Sequence, residues 1–119
     1  MSLTSKNVLL KIEKGAIFSK KFRWKDKYRE PINLTGFEFK SQFRREFGED
    51  NVVCTLTMGN GIVTVPAEGT IEIYIGEDVT STLTNYDSGL WSLDYRNDPA
   101  KPFKTLIRGR WVVEPEVTV

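Results

Sequence analysis

The feature that most constrains the fold of this chain is an alternation of apolar and polar residues with a period of two, repeated between turn signals. Successive side chains of a β-strand point to opposite faces, so this period predicts strands with one face on a core. Turn signals recur at intervals of roughly 8–12 residues, as in antiparallel sandwiches and barrels. The alternation predicts strands over residues 7–13, 16–24, 36–44, 52–57, 62–65, 70–75, 88–96 and 103–113.

These segments predict an all-β fold in which residues 1–119 form a single antiparallel β-sandwich, Ig-like or jelly-roll-like, of about eight strands. Residues 77–84 are predicted as one short helical bridge, which their Thr-rich composition keeps to two turns at most. The Asn60-Gly61 pair predicts a hairpin turn. Lys20 interrupts the apolar face of the second strand and needs an explanation.

Three tryptophans, Trp24, Trp91 and Trp111, each lie on the apolar face of a predicted strand. Large aromatic side chains contribute strongly to core packing, so burial is the favoured interpretation. The alternative is an exposed aromatic platform on which sugars stack, which would make the chain a carbohydrate-binding module. Cys54 is the only cysteine, which excludes an intrachain disulfide, and it is expected to be a buried free thiol.

The sequence offers no candidate for catalysis. It contains no histidine, so the chain lacks the most common general base and transition-metal ligand. Phosphate-binding glycine loops and calcium-binding loops are absent as sequence motifs. A pair of carboxylates remains a formal possibility, but Asp94 is expected on a solvent-exposed strand face. We therefore predict a non-enzymatic protein with no catalytic, cofactor-binding or metal-binding residues, and no cofactor.

Charge is nearly balanced, with 17 Lys and Arg against 16 Asp and Glu and a formal net charge of +1. Nucleic-acid binders usually carry a basic surplus, so no nucleic-acid partner is expected. The basic stretches at residues 20–25 and at Arg44-Arg45 are interpreted as solvated strand faces. The sequence has no apolar run long enough for a signal peptide or a membrane span, and no membrane association is expected.

Several motifs together resemble a pattern that recurs in small phage and prophage β-proteins. They are an aromatic strand ending in Trp-Lys-Asp, a Pro-Ile-x-Leu-Thr-Gly corner, and a strand closing with Gln, an apolar residue and Arg. The matching segments are residues 15–18, 22–26, 31–37, 41–44, 69–73, 89–94, 106–109 and 112–118. Within the corner, Leu34 is expected to fill the core and Gly36 to allow a sharp chain reversal.

Such modules resemble the N-terminal domain of lactococcal-type upper baseplate proteins and other tail or head-decoration components. The resemblance implies a virion structural or assembly protein, made in the bacterial cytoplasm, with other virion proteins or, in a homo-oligomer, copies of itself as partners. It carries over no catalytic residue. One hypothesis is that the strand from Arg110 to Val119 docks a partner by strand addition, and deletion of residues 115–119 would then weaken assembly but not folding. The alternative is that this strand only completes the sandwich.

Overall fold

A computed structural model of the chain describes residues 6–45, 52–84 and 87–114, and it is nearly all-β. The strands are β1 (Lys6–Asn7), β2 (Leu10–Glu13), β3 (Phe18–Arg23), β4 (Glu38–Arg45), β5 (Val52–Met58), β6 (Gly61–Val65), β7 (Thr70–Ile75), β8 (Ser88–Arg96) and β9 (Lys104–Glu114). A 3-10 turn spans Pro66–Glu68, and the helix α1 spans Glu77–Thr80. None of the helical segments in the described ranges has the length and apolarity needed to cross a membrane.

The strands belong to one sheet in the order β1-β9-β8-β4-β5-β6-β7-β3, with β2 also paired to β9. The prediction of a purely antiparallel arrangement is wrong, because β1 and β2 run parallel to β9. Alternation indicates which face of the sheet a residue occupies, but it gives no information about the direction of the neighbouring strand. The first and last strands of the described region therefore lie side by side.

The sheet curls over its own inner face until it is nearly closed, in the manner of a barrel. The Phe22 ring of β3 stacks on the Trp91 ring of β8 with 5.8 Å between centroids, so strands far apart in sheet order meet in one core. Leu34 is buried within this core, and Gly36 adopts a φ of 84°, which confirms both roles expected for the corner. The buried apolar residues include Leu10, Ile12, Phe39, Phe43, Ile71, Ile73, Ile75, Leu93, Ile107 and Val113.

Two tryptophans and two glycines hold the centre of the sheet in a reciprocal arrangement. Trp91 lies opposite Gly109 in the β8–β9 ladder, and Trp111 lies opposite Gly89. The Trp91 indole donates to the Val8 carbonyl at 2.9 Å, and the Trp111 indole donates to the Arg44 carbonyl at 3.0 Å. Each glycine gives the backbone that carries the accepting carbonyl room to approach, so each buried indole N–H is satisfied.

The same close approach explains why the first predicted strand is divided. A Cβ on Gly109 would stand 1.9 Å from the Val8 carbonyl oxygen, so only glycine lets the chain pass there. Strand pairing stops at Val8 and Leu9 and resumes at Leu10. The strands predicted at 70–75 and 88–96 match β7 and β8, whereas the predicted helix shrinks to one turn.

The turn predicted at residues 58–61 is confirmed, because the Asn60 N–H donates to the Thr57 carbonyl at 2.9 Å, but the hairpin is wrong. β5 and β6 meet in the same direction through only two residue pairs, Thr57 with Gly61 and Met58 with Ile62. The left-handed conformations that the turn needs fall on Gly59 and Gly61 rather than on Asn60. After the turn, β6 therefore runs beside β5 in the same direction instead of folding back antiparallel to it.

The hypothesis of a docking edge on the last strand is wrong for residues 110–114, because β9 has β8 on one side and β1 and β2 on the other. Residues 115–119 lie outside the described region. A sheet end lies instead at β3, where Lys20 stands on the inward row between Phe18 and Phe22 and is nevertheless exposed. An inward-pointing lysine on an edge strand discourages addition of a further strand, which accounts for the exception in the pattern.

Candidate functional site

The most distinctive surface of the described region lies on the outer face of β4, β8 and β9. Arg44, Leu90 and Arg110 form one cross-strand row, and Gln42, Ser92 and Arg108 form the next. We call the surface made by Arg44, Leu90, Arg108 and Arg110 the arginine face. Its position follows from alternation, because Phe43, Trp91 and Trp111 point inward between these residues.

The two rows contain three guanidinium groups and no carboxylate. β5 extends them with Val52 and Thr55, and β1 extends the second row with Asn7, so every described position in both rows is uncharged or basic. Adjacent strands are about 4.8 Å apart, which places the backbones of Arg44 and Arg110 roughly 10 Å from each other.

A shallow groove of about 450 Å³ lies on the arginine face, with Leu90 at its centre. The Leu90 side chain is 56% exposed although it belongs to a central strand. Arg44 is oriented within the face, because its Nε donates to the Gln42 side-chain oxygen at 2.8 Å. Gln42 in turn donates to Thr55 on β5 at 3.3 Å. The groove thus has an apolar centre and at least one side chain already ordered.

The row next to Ser92 and Gln42 contains Lys40, Asp94 and Thr105. Asp94 points outward as expected, but it is half-buried rather than solvent-exposed, and its Oδ1 has no hydrogen-bond partner. Desolvation raises the pKa of Asp94, although hydrogen bonds from Thr105 and Ser92 and the charge of Lys40 act in the opposite direction. The Asp94 carboxylate therefore interacts with the hydroxyl groups of Ser92 and Thr105 and with the charge of Lys40.

Several charged side chains close to these strands form ion pairs. Arg45 pairs with Asp87 at 2.9 Å, and Arg96 pairs with Glu38 while its guanidinium lies 4.3 Å from the Phe103 ring centroid. On the other side of the molecule, Lys21 of β3 stands opposite Glu72 of β7, and Tyr74 donates to Glu72 at 2.6 Å. We call the surface formed by Ser19, Lys21, Glu72 and Tyr74 the β3–β7 face.

The structure decides the interpretation of the three tryptophans. Trp24, Trp91 and Trp111 are all buried, which confirms the prediction of core packing and removes the tryptophan platform on which the carbohydrate-binding alternative was built. Tyr28 and Tyr74 are exposed aromatic residues, but they belong to separate elements, the loop after β3 and the strand β7.

Cys54 is a free thiol that is half-buried against the core, less deeply than expected. Burial raises its pKa to about 11, so the thiol is protonated at neutral pH and is a poor nucleophile. A bulge explains the shallow position. Phe43 pairs with Cys54 and Arg44 pairs with Val52, so Val53 is an extra residue on β5 and the alternation shifts there.

Nowhere in the described ranges do three His, Cys, Asp or Glu side chains come together as a metal site would require. Sequence reasoning noticed Arg44 but missed Arg108 and Arg110. The available signal was a pair of arginines flanking Gly109 on one strand face, with Arg44 on another strand. Only the strand order brings the three together, because β8 lies between β4 and β9. No family model matches the chain, and no curated protein matches it.

Proposed function

We propose that this chain is a non-enzymatic structural or assembly module of a phage particle, a tail, baseplate or head-decoration component, and that it docks onto another protein through the arginine face. The observation that carries the docking role is the exposed Leu90 between Arg44 and Arg110 on a central strand. Protein interfaces characteristically combine an apolar centre with arginine, which contributes strongly where it becomes desolvated.

The hydrogen-bonded sheet beneath the arginine face supports the proposed docking role. A docking surface loses less conformational entropy when its scaffold is already rigid. β8 is paired with β4 on one side and with β9 on the other. The Trp91 indole also bonds β8 to Val8, and the Trp111 indole bonds β9 to Arg44 of β4. Leu90 is therefore presented from a fixed backbone position.

The assignment to a phage particle rests on the resemblance of the corner and strand motifs. Their residues occupy structural positions here, with Leu34 in the core and Gly15, Gly36 and Gly69 in left-handed conformations at turns. We extend the proposal to the fold class. The contact of Phe22 with Trp91 across the core supports describing the curled sheet as a flattened β-sandwich of the virion-module kind.

The experiment is mass spectrometry of density-purified particles released by the strain that encodes the chain. We expect its peptides at an abundance comparable to that of tail or baseplate proteins. Absence of the chain from intact particles, with its presence in the same lysate, would contradict the virion assignment.

A further inference from the structure

We propose that a small pocket beside the turn that follows β3 binds a phosphate group. The pocket has a volume of about 260 Å³, and we call it the turn pocket; its lining residues are Arg23, Lys25, Arg29, Pro31, Ala67 and Glu68. Liquid water occupies about 30 Å³ per molecule, so the pocket has room for a tetrahedral oxyanion and part of the group that carries it. The inference goes beyond the proposed docking role and does not depend on it.

The two walls of the turn pocket are fastened to each other through the backbone. The Trp24 N–H donates to the Gly69 carbonyl at 2.7 Å, and a Cβ on Gly69 would stand 2.5 Å from the Trp24 carbonyl oxygen. The end of β3 therefore lies directly against the 3-10 turn that precedes β7. Arg23 and Glu68, the sequence neighbours of these two residues, are held on opposite sides of one concave surface.

The turn that carries Lys25 and Arg29 is ordered by its own hydrogen bonds. Oδ1 of Asp26 accepts from the backbone N–H groups of Tyr28 at 2.8 Å and Glu30 at 3.0 Å. The Arg29 N–H donates to the Asp26 backbone carbonyl at 3.0 Å, and the Asp26 N–H donates to the Glu30 carbonyl at 2.9 Å. A site that is already ordered loses less conformational entropy when it binds a ligand.

The backbone of Arg29 is the strongest sign that its side chain has a function. Among the described residues it is the one non-glycine residue with a positive φ, at 65°, whereas Gly36 and Gly59 provide this conformation at other turns. A left-handed backbone is unfavourable for a residue with a Cβ and easy for glycine. Strained residues of this kind concentrate at ligand-binding sites. The turn alone favours glycine, so the arginine is better explained by the guanidinium that it places in the pocket.

The charges of the turn pocket indicate the class of ligand. Arg23, Lys25 and Arg29 line it together with one carboxylate, that of Glu68. Within the described ranges none of these four side chains forms an ion pair, and Glu30 of the same turn does not line the pocket. A phosphate monoester carries a charge near −2 and three acceptor oxygens, which two guanidinium groups and an ammonium group can share. A carboxylate has only two oxygens and a single charge.

The test is a titration of the full chain with inorganic phosphate, followed by amide chemical shifts at a constant ionic strength of about 0.15 M. We expect saturable changes centred on the turn pocket, with a Kd of about 1–10 mM. Arg29→Gly removes the guanidinium and relieves the left-handed strain, so the chain should stay folded and bind phosphate at least about fivefold more weakly. Lys27→Ala removes the same charge from the same turn and is the matched control. Lys27 lies outside the pocket, with its Nζ 5.1 Å from the Tyr28 ring centroid, so affinity should stay within about twofold.

A third variant should change affinity in the opposite direction. Glu68→Gln removes the one carboxylate among the lining residues, so phosphate should bind at least about twofold more tightly. Acetate in place of phosphate should bind at least about fivefold more weakly to the unmodified chain. Circular dichroism checks that each variant is folded.

Four outcomes would overturn the inference. They are no saturation by about 30 mM phosphate, equal losses for Arg29→Gly and Lys27→Ala, weaker binding by Glu68→Gln, or acetate binding as tight as that of phosphate. Glycerol phosphate and phosphatidylcholine vesicles that contain phosphatidic acid then distinguish the source of the phosphate group. Tighter binding of glycerol phosphate would identify a soluble phosphomonoester, and tighter binding of the vesicles would identify a lipid headgroup. Either result supports a phosphate site in the turn pocket.

Discussion

The arginine face and the β3–β7 face are both outer surfaces of the same curled sheet, but their charged side chains stand opposite different kinds of residue. On the β3–β7 face, Lys21 stands opposite Glu72, and Tyr74 donates to the same carboxylate, which raises the Tyr74 pKa. On the arginine face, Arg44 and Arg110 stand opposite Leu90. Cross-strand pairs of opposite charge stabilise a solvated sheet. The rows of the arginine face instead place an exposed leucine between two arginines, an arrangement typical of a docking surface.

The packing of the backbone beneath the two faces also differs. Under the arginine face, glycines let neighbouring backbone segments approach closely, and tryptophan indoles donate hydrogen bonds to the carbonyls of those segments. Under the β3–β7 face, the three isoleucines of β7 fill the core, and a Cβ on Gly69, just before β7, would stand 2.5 Å from the Trp24 carbonyl oxygen. Both faces therefore have glycine positions where the backbone passes closely, but only under the arginine face do tryptophan indoles donate to the approaching carbonyls.

The largest expected effect comes from Gly109→Ala. The added methyl would stand 1.9 Å from the Val8 carbonyl oxygen, so the backbone of the first strands must move, and we expect a loss of at least about 3 kcal/mol in the free energy of unfolding. Urea denaturation measures this loss. Gly59→Ala is the matched control, since Gly59 has a φ of 76° but no atom within 4 Å of the added carbon, and it should cost about 1–2 kcal/mol. Equal costs would show that the close approach at Val8 is unimportant.

A smaller effect distinguishes the charges of the two faces. Lys21→Glu places a second carboxylate opposite Glu72, and like charges directly opposite each other should lower stability by roughly 0.2–1 kcal/mol. Arg108→Glu removes one positive charge from three, so it should leave stability unchanged or raise it slightly. Thermal unfolding at low salt measures both changes, and salt should reduce them. Destabilisation of the same size in both variants would contradict the contrast between the faces.

The smallest expected effect concerns Asp94. Because desolvation raises its pKa in the folded chain, the folded state binds this proton more tightly than the unfolded state does. The ionised carboxylate therefore lowers stability as the pH rises above the ordinary pKa of aspartate, and it has no such effect below it. Relative to the wild type, Asp94→Asn should become more stable over that range of pH. Urea midpoints measured from acid to neutral pH test this, and a difference that does not vary with pH would refute it.

Much of the fold could be predicted from local pattern. β7 and β8 begin and end where alternation and turn residues indicate, because each is bounded by glycine or proline signals and has one consistently apolar face. Elsewhere, shifts in strand register interrupt the alternation of apolar and polar residues. The β8–β9 register shifts beyond Leu93, so adjacent Leu106 and Ile107 are both buried, and no alternation anticipates that.

The candidate site could be predicted only in part, because it depends on strand order. Arg44 is distant in sequence from Arg108 and Arg110, and the three share a surface only because β8 separates β4 from β9. The parallel pairing of β1 and β2 with β9, which covers the last strand, likewise results from long-range assembly. Lys20 was a recognisable exception in sequence, but its explanation needed the position of β3 at the end of the sheet.

The most direct test of the central claim is to compare hydroxyl-radical footprints of the chain when it is free in solution and when it is assembled in purified particles. We predict changes in reactivity concentrated at Arg44, Leu90, Ser92, Arg108 and Arg110, with none at Ser19, Lys21, Glu72 or Tyr74. Changes centred on the β3–β7 face, or spread evenly over both faces, would contradict the claim that the arginine face is the docking surface.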